Sequence, residues 1–175
     1  MKSITLPQLR QTYGYDCGAK AIQTVLVYYG IELREDHILK TAGTTKNGTQ
    51  IKGIIKVAEK NGLKTDSREM SIGDIKDYID KKIPVILALQ AWTAKKKVDW
   101  KKDWIDGHYV VAIGYTKDKI LFEDPSSFER TYLKYNELEK RWHDMDIKGK
   151  KYDHHGIAVF GKKPKFDKDK LKHMR

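Results

Sequence analysis

Gly107-His108-Tyr109-Val110-Val111-Ala112-Ile113-Gly114-Tyr115-Thr116-Lys117-Asp118-Lys119-Ile120-Leu121-Phe122-Glu123-Asp124-Pro125 is the stretch on which the fold turns. His108 to Tyr115 is rich in β-branched and aromatic residues, Lys117-Asp118-Lys119 reads as a tight turn, and Ile120 to Glu123 runs back, so an antiparallel hairpin is expected. Upstream, Pro84 to Leu89 is a short, almost wholly apolar run suited to a buried strand. Downstream, Arg130 to Leu133 and Gly156 to Phe160 supply two more strands. Between them Glu137 to Trp142 reads as a short helix with Leu138 and Trp142 at i and i+4 on its inner side.

The first half has a different period. Asp16 is placed to cap a helix running to Tyr29, whose Ala21, Ile22, Val25, Leu26 and Tyr29 share one face and which Gly30 ends in a left-handed conformation. Shorter helices are expected from Asp36 and from Thr49. The second follows a polar loop, Thr44 to Gly48, buries Ile51, Ile54, Ile55 and Ala58, and stops at Gly62. Ser71 and Asp74 loosely resemble a capping box, with Asp in place of the usual Glu or Gln, and open a fourth helix with Ile75, Tyr78 and Ile79. Helices first and antiparallel strands afterwards predict an α+β fold, an N-terminal helical layer packed on a C-terminal antiparallel sheet.

At 175 residues, 39% hydrophobic and 34% charged, the chain fits one globular domain with a single core. No apolar run approaches a membrane span, the longest being Ile83 to Leu89 and Tyr109 to Ile113. Met1 to Pro7 lacks the apolar stretch of a secretory signal, and a cytoplasmic location is expected. Of the net charge of +11, a large part sits in Lys162 to Arg175, with seven Lys or Arg against two Asp. Residues 1–161 are therefore expected to form the domain and 162–175 a basic tail. Without zinc-finger cysteines or an aromatic-rich RNA-binding pattern, a nucleic-acid partner is not expected.

The single cysteine, Cys17, has no internal disulfide partner. It falls in the first turn of the first helix, where unpaired backbone N–H groups and the helix dipole favour a thiolate. A thiolate attacking a carbonyl needs a base and a donor for the oxyanion. His108 opens a buried strand and Asp124 ends the strand that returns beside it, so the hairpin brings them together, with the carboxylate positioned to orient the imidazole. Gln11, six positions before Cys17, offers a side-chain amide as oxyanion donor beside the backbone N–H of Cys17.

Gln11, Asp16-Cys17-Gly18, Gly107-His108-Tyr109-Val110-Val111 and Asp124-Pro125, in that order and on those elements, resemble the papain-like cysteine peptidases that remove double-glycine leaders from bacteriocins and peptide pheromones. The resemblance extends through Tyr132-Leu133 to Leu138 and Trp142 and covers about Thr5 to Gly161. It implies a papain-like fold, Cys17 as nucleophile, His108 as base, Asp124 as orienter and Gln11 as oxyanion donor. It also implies cleavage after small residues such as Gly-Gly, a peptide or protein substrate with an upstream leader, and no cofactor. Members fused to exporters continue into membrane helices and an ATPase, so a standalone peptidase is expected here.

Trp92 to Gly107 looks like an insertion just before His108, with three of the four tryptophans and five lysines. Trp100 and Trp104 fall at i and i+4 as on a helical face, as a substrate-gripping lid or as core packing. The basic surface favours acidic peptides, as amphipathic leaders often are. His154 and His155 are adjacent and lack a spaced set of further ligands, so no metal site is expected. Two other functions share this pattern, a non-hydrolytic peptide-binding module and a Cys-His-Asp acyl or amide transferase.

Overall fold

The computed structural model describes residues 1–175. Four helices precede residue 83: α1 (Cys17–Tyr28), α2 (Glu35–Ala42), α3 (Ile51–Lys60) and α4 (Ile72–Asp80). α1 ends where Gly30 takes a φ of +79°, open only to glycine without strain, and the Ile31 N–H bonds back to Leu26 O at 2.9 Å. The capping box of α4 is formed, with Asp74 N–H donating to Ser71 Oγ at 3.1 Å and Ser71 N–H to Asp74 Oδ2 at 2.7 Å. α5 (Tyr135–Arg141) begins at Tyr135 rather than Glu137, with Leu138 and Trp142 fully buried.

The strands are β1 (Lys2–Ser3), β2 (Lys64–Glu69), β3 (Val85–Gln90), β4 (Gly107–Tyr115), β5 (Lys119–Glu123), β6 (Thr131–Lys134), β7 (His143–Met145), β8 (Lys151–Asp153) and β9 (His155–Phe160). The main sheet runs β2-β9-β3-β4-β5-β6, every pairing antiparallel, with β1 added to the end of β4, while β7 and β8 form a separate hairpin. The α+β, papain-like architecture is the expected one, but helices cover both faces of the sheet. Ile86, Ala88, Tyr109, Val111 and Ile113 face α1, α2 and α3. Val85, Leu87, Leu89, Val110 and Ala112 face α4 and α5. Double-sided burial explains why β3 and β4 read as continuous apolar runs instead of alternating.

Three features were not legible in the sequence. Lys64 to Glu69, Lys-Thr-Asp-Ser-Arg-Glu, gives no apolar signal yet forms an edge strand in register with β9 from Lys64↔Phe160 to Glu69↔His155. Its charges suit an exposed edge, where they discourage pairing with a second chain. Residues 92–106 are irregular, so Trp100 and Trp104 share no helical face; each has its own partner, Arg141 stacked 4.0 Å from the Trp100 ring centre and His143 4.4 Å from that of Trp104. At the C-terminus, packing continues past Gly161, because the N–H groups of Lys165 and Phe166 both donate to Tyr28 O at 2.9 and 3.1 Å and Phe166 packs on the α1–α3 core.

Candidate active site

Asp16 immediately precedes α1, but its carboxylate turns away from the helix. Oδ2 accepts from Thr12 N–H and Oδ1 from Tyr13 N–H, both at 3.0 Å, so the fully buried side chain braces the loop 12–16. The expected cap is therefore absent, and its absence has a chemical consequence. No side chain occupies the helix N-terminus, its first turn holds no acid, and the first intrahelical bond is Lys20 N–H to Asp16 O. The N–H groups of Cys17 and Gly18 remain open, with the helix dipole, to a negative charge forming at that point. Cys17 is partly exposed and unpaired. A Cβ on Gly18 would come 2.8 Å from Thr49 Cβ and 2.9 Å from Tyr109 Cδ2, so glycine is what lets the helix start seat against β4.

His108 lies on β4 opposite Leu89 of β3 and is 6% exposed. Its Nε2 stands 2.7 Å from Asp124 Oδ1, just beyond the end of β5, leaving Nδ1 as the ring nitrogen free for the thiol. Burial disfavours the imidazolium, yet the hydrogen bond to Asp124, the neighbouring Cys17 and the charges of both outweigh it and raise His108 from 6.5 to about 9. Burial works against the Asp124 carboxylate as well. Donation by His108 and its charge, by the Ser126 N–H and by the Trp92 indole nevertheless hold its pKa below the usual value.

Four donors converge on Asp124. Oδ1 takes His108 and Ser126 N–H at 2.9 Å, and Oδ2 takes Trp92 Nε1 at 3.0 Å and Thr131 Oγ1 at 3.3 Å. Gln11 is bound to the same turn: its N–H donates to Pro125 O at 3.0 Å and its Oε1 accepts from Ser126 Oγ at 2.7 Å. Gln11 Nε2 donates one hydrogen to Tyr13 O at 2.7 Å, in the loop leading to Cys17, and has a second to give.

Cys17 opens into a cleft of about 250 Å³ walled by Tyr15, Thr49, Trp104, Gly107, Tyr109 and Asp144. Thr49, Tyr109 and Met145 also line an adjoining groove of about 450 Å³ between the start of α3 and the β7–β8 hairpin. Asp144 went unnoticed in the sequence, where Trp142-His143-Asp144-Met145 gives it no mark. Its Oδ1 accepts from Met145 N–H at 2.8 Å and Gln90 Nε2 at 3.2 Å, and burial raises its pKa from 3.8 to about 6. Trp92 and Thr131 were equally unmarked as partners of Asp124. Ser126 had one available signal, the Asp-Pro-Ser turn, in which an Asp side chain commonly accepts the N–H two residues on. His154 and His155 go to separate partners, His154 stacking on Trp142 and His155 bonding Ser67 Oγ at 2.8 Å.

A helix-flanked antiparallel sheet, with a cysteine at an open helix start and a buried His–Asp pair on the hairpin packed against it, is a papain-like fold. The profile of the peptidase C39 family matches residues 5–151, and the chain belongs to that family. The transport/processing ATP-binding protein ComA of Streptococcus pneumoniae is 30% identical over 78% of this chain, and the pediocin PA-1 transport/processing protein PedD of Pediococcus acidilactici 26% over 75%. The chain spans 17% of the length of each, and 48% of an uncharacterized protein of Methanothermobacter marburgensis that is 35% identical over 39% of this chain.

Solved structures share the fold. The peptidase domain of Streptococcus ComA superposes with a TM-score of 0.67 at 22% identity, covering 89% of this chain and 96% of that one. A double glycine motif protease from an AMS/PCAT transporter, in complex with its leader peptide, gives 0.68 at 16% identity, covering 94% and 95%. A C39-like peptidase from Bacillus anthracis gives 0.71 at 15%, covering 94% and 100%. No helix is long and apolar enough to cross a membrane.

Proposed function

We propose that this peptidase works through Cys17, His108 and Asp124, with Gln11 as oxyanion donor, and cleaves peptides after small residues such as Gly-Gly behind an acidic leader segment. The observation that carries the reading is the buried 2.7 Å His108–Asp124 pair together with Cys17 at an uncapped helix N-terminus. The Cys17 sulfur attacks the scissile carbonyl carbon, and the oxyanion is held by the Cys17 N–H and the second hydrogen of Gln11 Nε2. Collapse of the tetrahedral intermediate breaks the C–N bond as the His108 imidazolium gives its proton to the leaving amine, leaving a thioester. Neutral His108 then takes a proton from water, whose oxygen attacks the thioester. Departure of the Cys17 thiolate frees the carboxylic acid product and restores the ion pair.

The substrate side of the reading rests on shape and charge. Tyr109 and Thr49 crowd the cleft at the helix start, which suits residues without bulky side chains. The adjoining groove carries Lys52, Lys148 and Lys150 against Asp146, a net-positive wall for an acidic peptide. The insertion contributes less charge than its composition indicated, because Lys95 is held by Asp103 at 2.6 Å and Asp106 at 3.1 Å. Among solved relatives, the AMS/PCAT protease binds a leader peptide.

The test is a peptide series with Gly-Gly, Gly-Ala or Leu-Leu before the scissile bond, each with and without an acidic amphipathic leader, assayed at low and high salt with products and acyl-enzyme read by mass spectrometry. Preference for Gly-Gly, acceleration by the leader and suppression by salt are expected. Preference for Leu-Leu, or indifference to leader and salt, overturns the substrate reading; the absence of a thioester on Cys17 overturns the catalytic one.

A further inference from the structure

Trp92 opens the insertion between β3 and β4, and three observations set it apart from an ordinary surface tryptophan. It is 59% exposed, so the core does not need its bulk. Its backbone φ is +60°, a left-handed conformation rare for a bulky residue and kept only where the surroundings enforce it. Its single polar atom, Nε1, donates at 3.0 Å to Asp124 Oδ2, the carboxylate oxygen turned away from His108.

The surroundings do enforce it. Ala91 N–H donates to Asp106 O at 2.9 Å, closing the neck of the insertion. Within the loop, Lys95 joins Asp103 and Asp106, and Ile105 N–H donates to Asp103 Oδ1 at 2.9 Å. His143 Nε2, 2.6 Å from Asp103 O, fastens the loop to β7, and Trp104 lies against the same histidine. The insertion is a fastened strap, and the end of it nearest the catalytic pair delivers an N–H to a carboxylate.

We propose that Trp92 is a positioning residue for peptide hydrolysis, its indole N–H holding the outer oxygen of Asp124 so that the inner oxygen stays in line with His108. The inference rests on the reading of Asp124 as the group that orients His108. A carboxylate held at one oxygen swivels about its Cβ–Cγ bond; one held at both has a fixed plane. The other partner of Oδ2, Thr131 Oγ1, is longer at 3.3 Å, which leaves the indole as the main restraint. A neutral donor on Oδ2 also favours the ionised carboxylate, and so the imidazolium beside it.

The experiment replaces Trp92 in the full chain by Phe and, through an expanded genetic code, by benzothienylalanine, whose sulfur takes the place of the N–H in a ring of the same shape. Both variants are expected to lose about tenfold in kcat, with KM unchanged and the acid limb of the pH–rate profile moved upward. In an Asp124→Ala background the Trp92→Phe change is expected to have no further effect. The proposal is overturned if the isosteric ring restores full kcat, if KM rises with kcat unchanged, or if the effects of Asp124→Ala and Trp92→Phe multiply. If Asp124→Ala alone leaves kcat intact, the orienting role of Asp124 fails and this inference falls with it. A damaging Asp124→Ala beside a silent Trp92→Phe removes Trp92 only.

Discussion

Ser126 donates its hydroxyl to Gln11 Oε1 at 2.7 Å, joining residues 115 positions apart. Together with the 3.0 Å bond from Gln11 N–H to Pro125 O, it ties the loop that leads to Cys17 to the turn that follows Asp124. The two halves of the candidate site, far apart in the chain, are thus held in register by one glutamine.

Gln11→Ala is expected to lower kcat by about a hundredfold or more with little change in KM, since an oxyanion donor acts mainly on the transition state. Ser126→Ala removes only the anchor of that amide, so a loss of several-fold at most is expected, about one hydrogen bond's worth. Steady-state kinetics of both variants decide the point: equal turnover in Gln11→Ala takes the residue out of the mechanism.

Hydrolysis is expected to decline as pH rises through about 9, the value to which Asp124 and Cys17 lift His108 against its burial. Below that value His108 carries the proton that, in the proposed mechanism, the leaving amine takes. Because its folded pKa lies above the unfolded 6.5, the associated stability is fully present below pH 6.5 and lost as pH rises through 9. Asp124→Ala removes one cause of the upward shift and should move the basic limb of kcat/KM downward. A wild-type limb at or below pH 7 contradicts this assignment.

Gly18→Ala is expected to destabilise the protein by about 1–3 kcal/mol and to abolish most activity, because the new methyl meets Thr49 Cβ at 2.8 Å and Tyr109 Cδ2 at 2.9 Å. The start of α1 has to shift, and Cys17 with it. Gly14→Ala, in the same loop, meets nothing within 4 Å and serves as the control. Denaturant unfolding of the pair checks the claim, which fails if both variants unfold alike.

Asp144→Asn is expected to stabilise the protein at pH 8 and to leave it unchanged at pH 4. Burial raises the carboxyl from 3.8 to about 6, so the folded state binds a proton more tightly than the unfolded chain. Stability therefore falls as pH rises from about 4 through 6, and the ionised carboxylate costs about 1–3 kcal/mol above that range. Melting curves at the two pH values measure it, and an equal shift at both would point to packing instead of charge.

Much of this was legible from local pattern. The apolar spacing of α1, the Ser71–Asp74 box and the apolar runs of β3 and β4 are short-range consequences of periodicity and propensity. Cys17, His108 and Asp124 could be placed because each sits at the end of an element that sequence delimits. Lys64 to Glu69 could not, because an edge strand with charged side chains is held by the β9 backbone, and backbone hydrogen bonds leave no trace in composition. The helical reading of Trp100 and Trp104 failed for a related reason, their rings being placed by Arg141 and His143 from beyond the insertion.

By itself, then, the sequence determined on which elements Cys17, His108 and Asp124 ride, since that depends on neighbours within a few positions. Only the tertiary structure decided what surrounds them. Asp16 abandons the helix cap because the loop 12–16 curls back and offers it two N–H groups, and Trp92 reaches Asp124 because a strap fastened to β7 aims it there. Such contacts depend on distances between segments far apart in the chain, which are fixed only when the whole sheet and both helical layers close around the site.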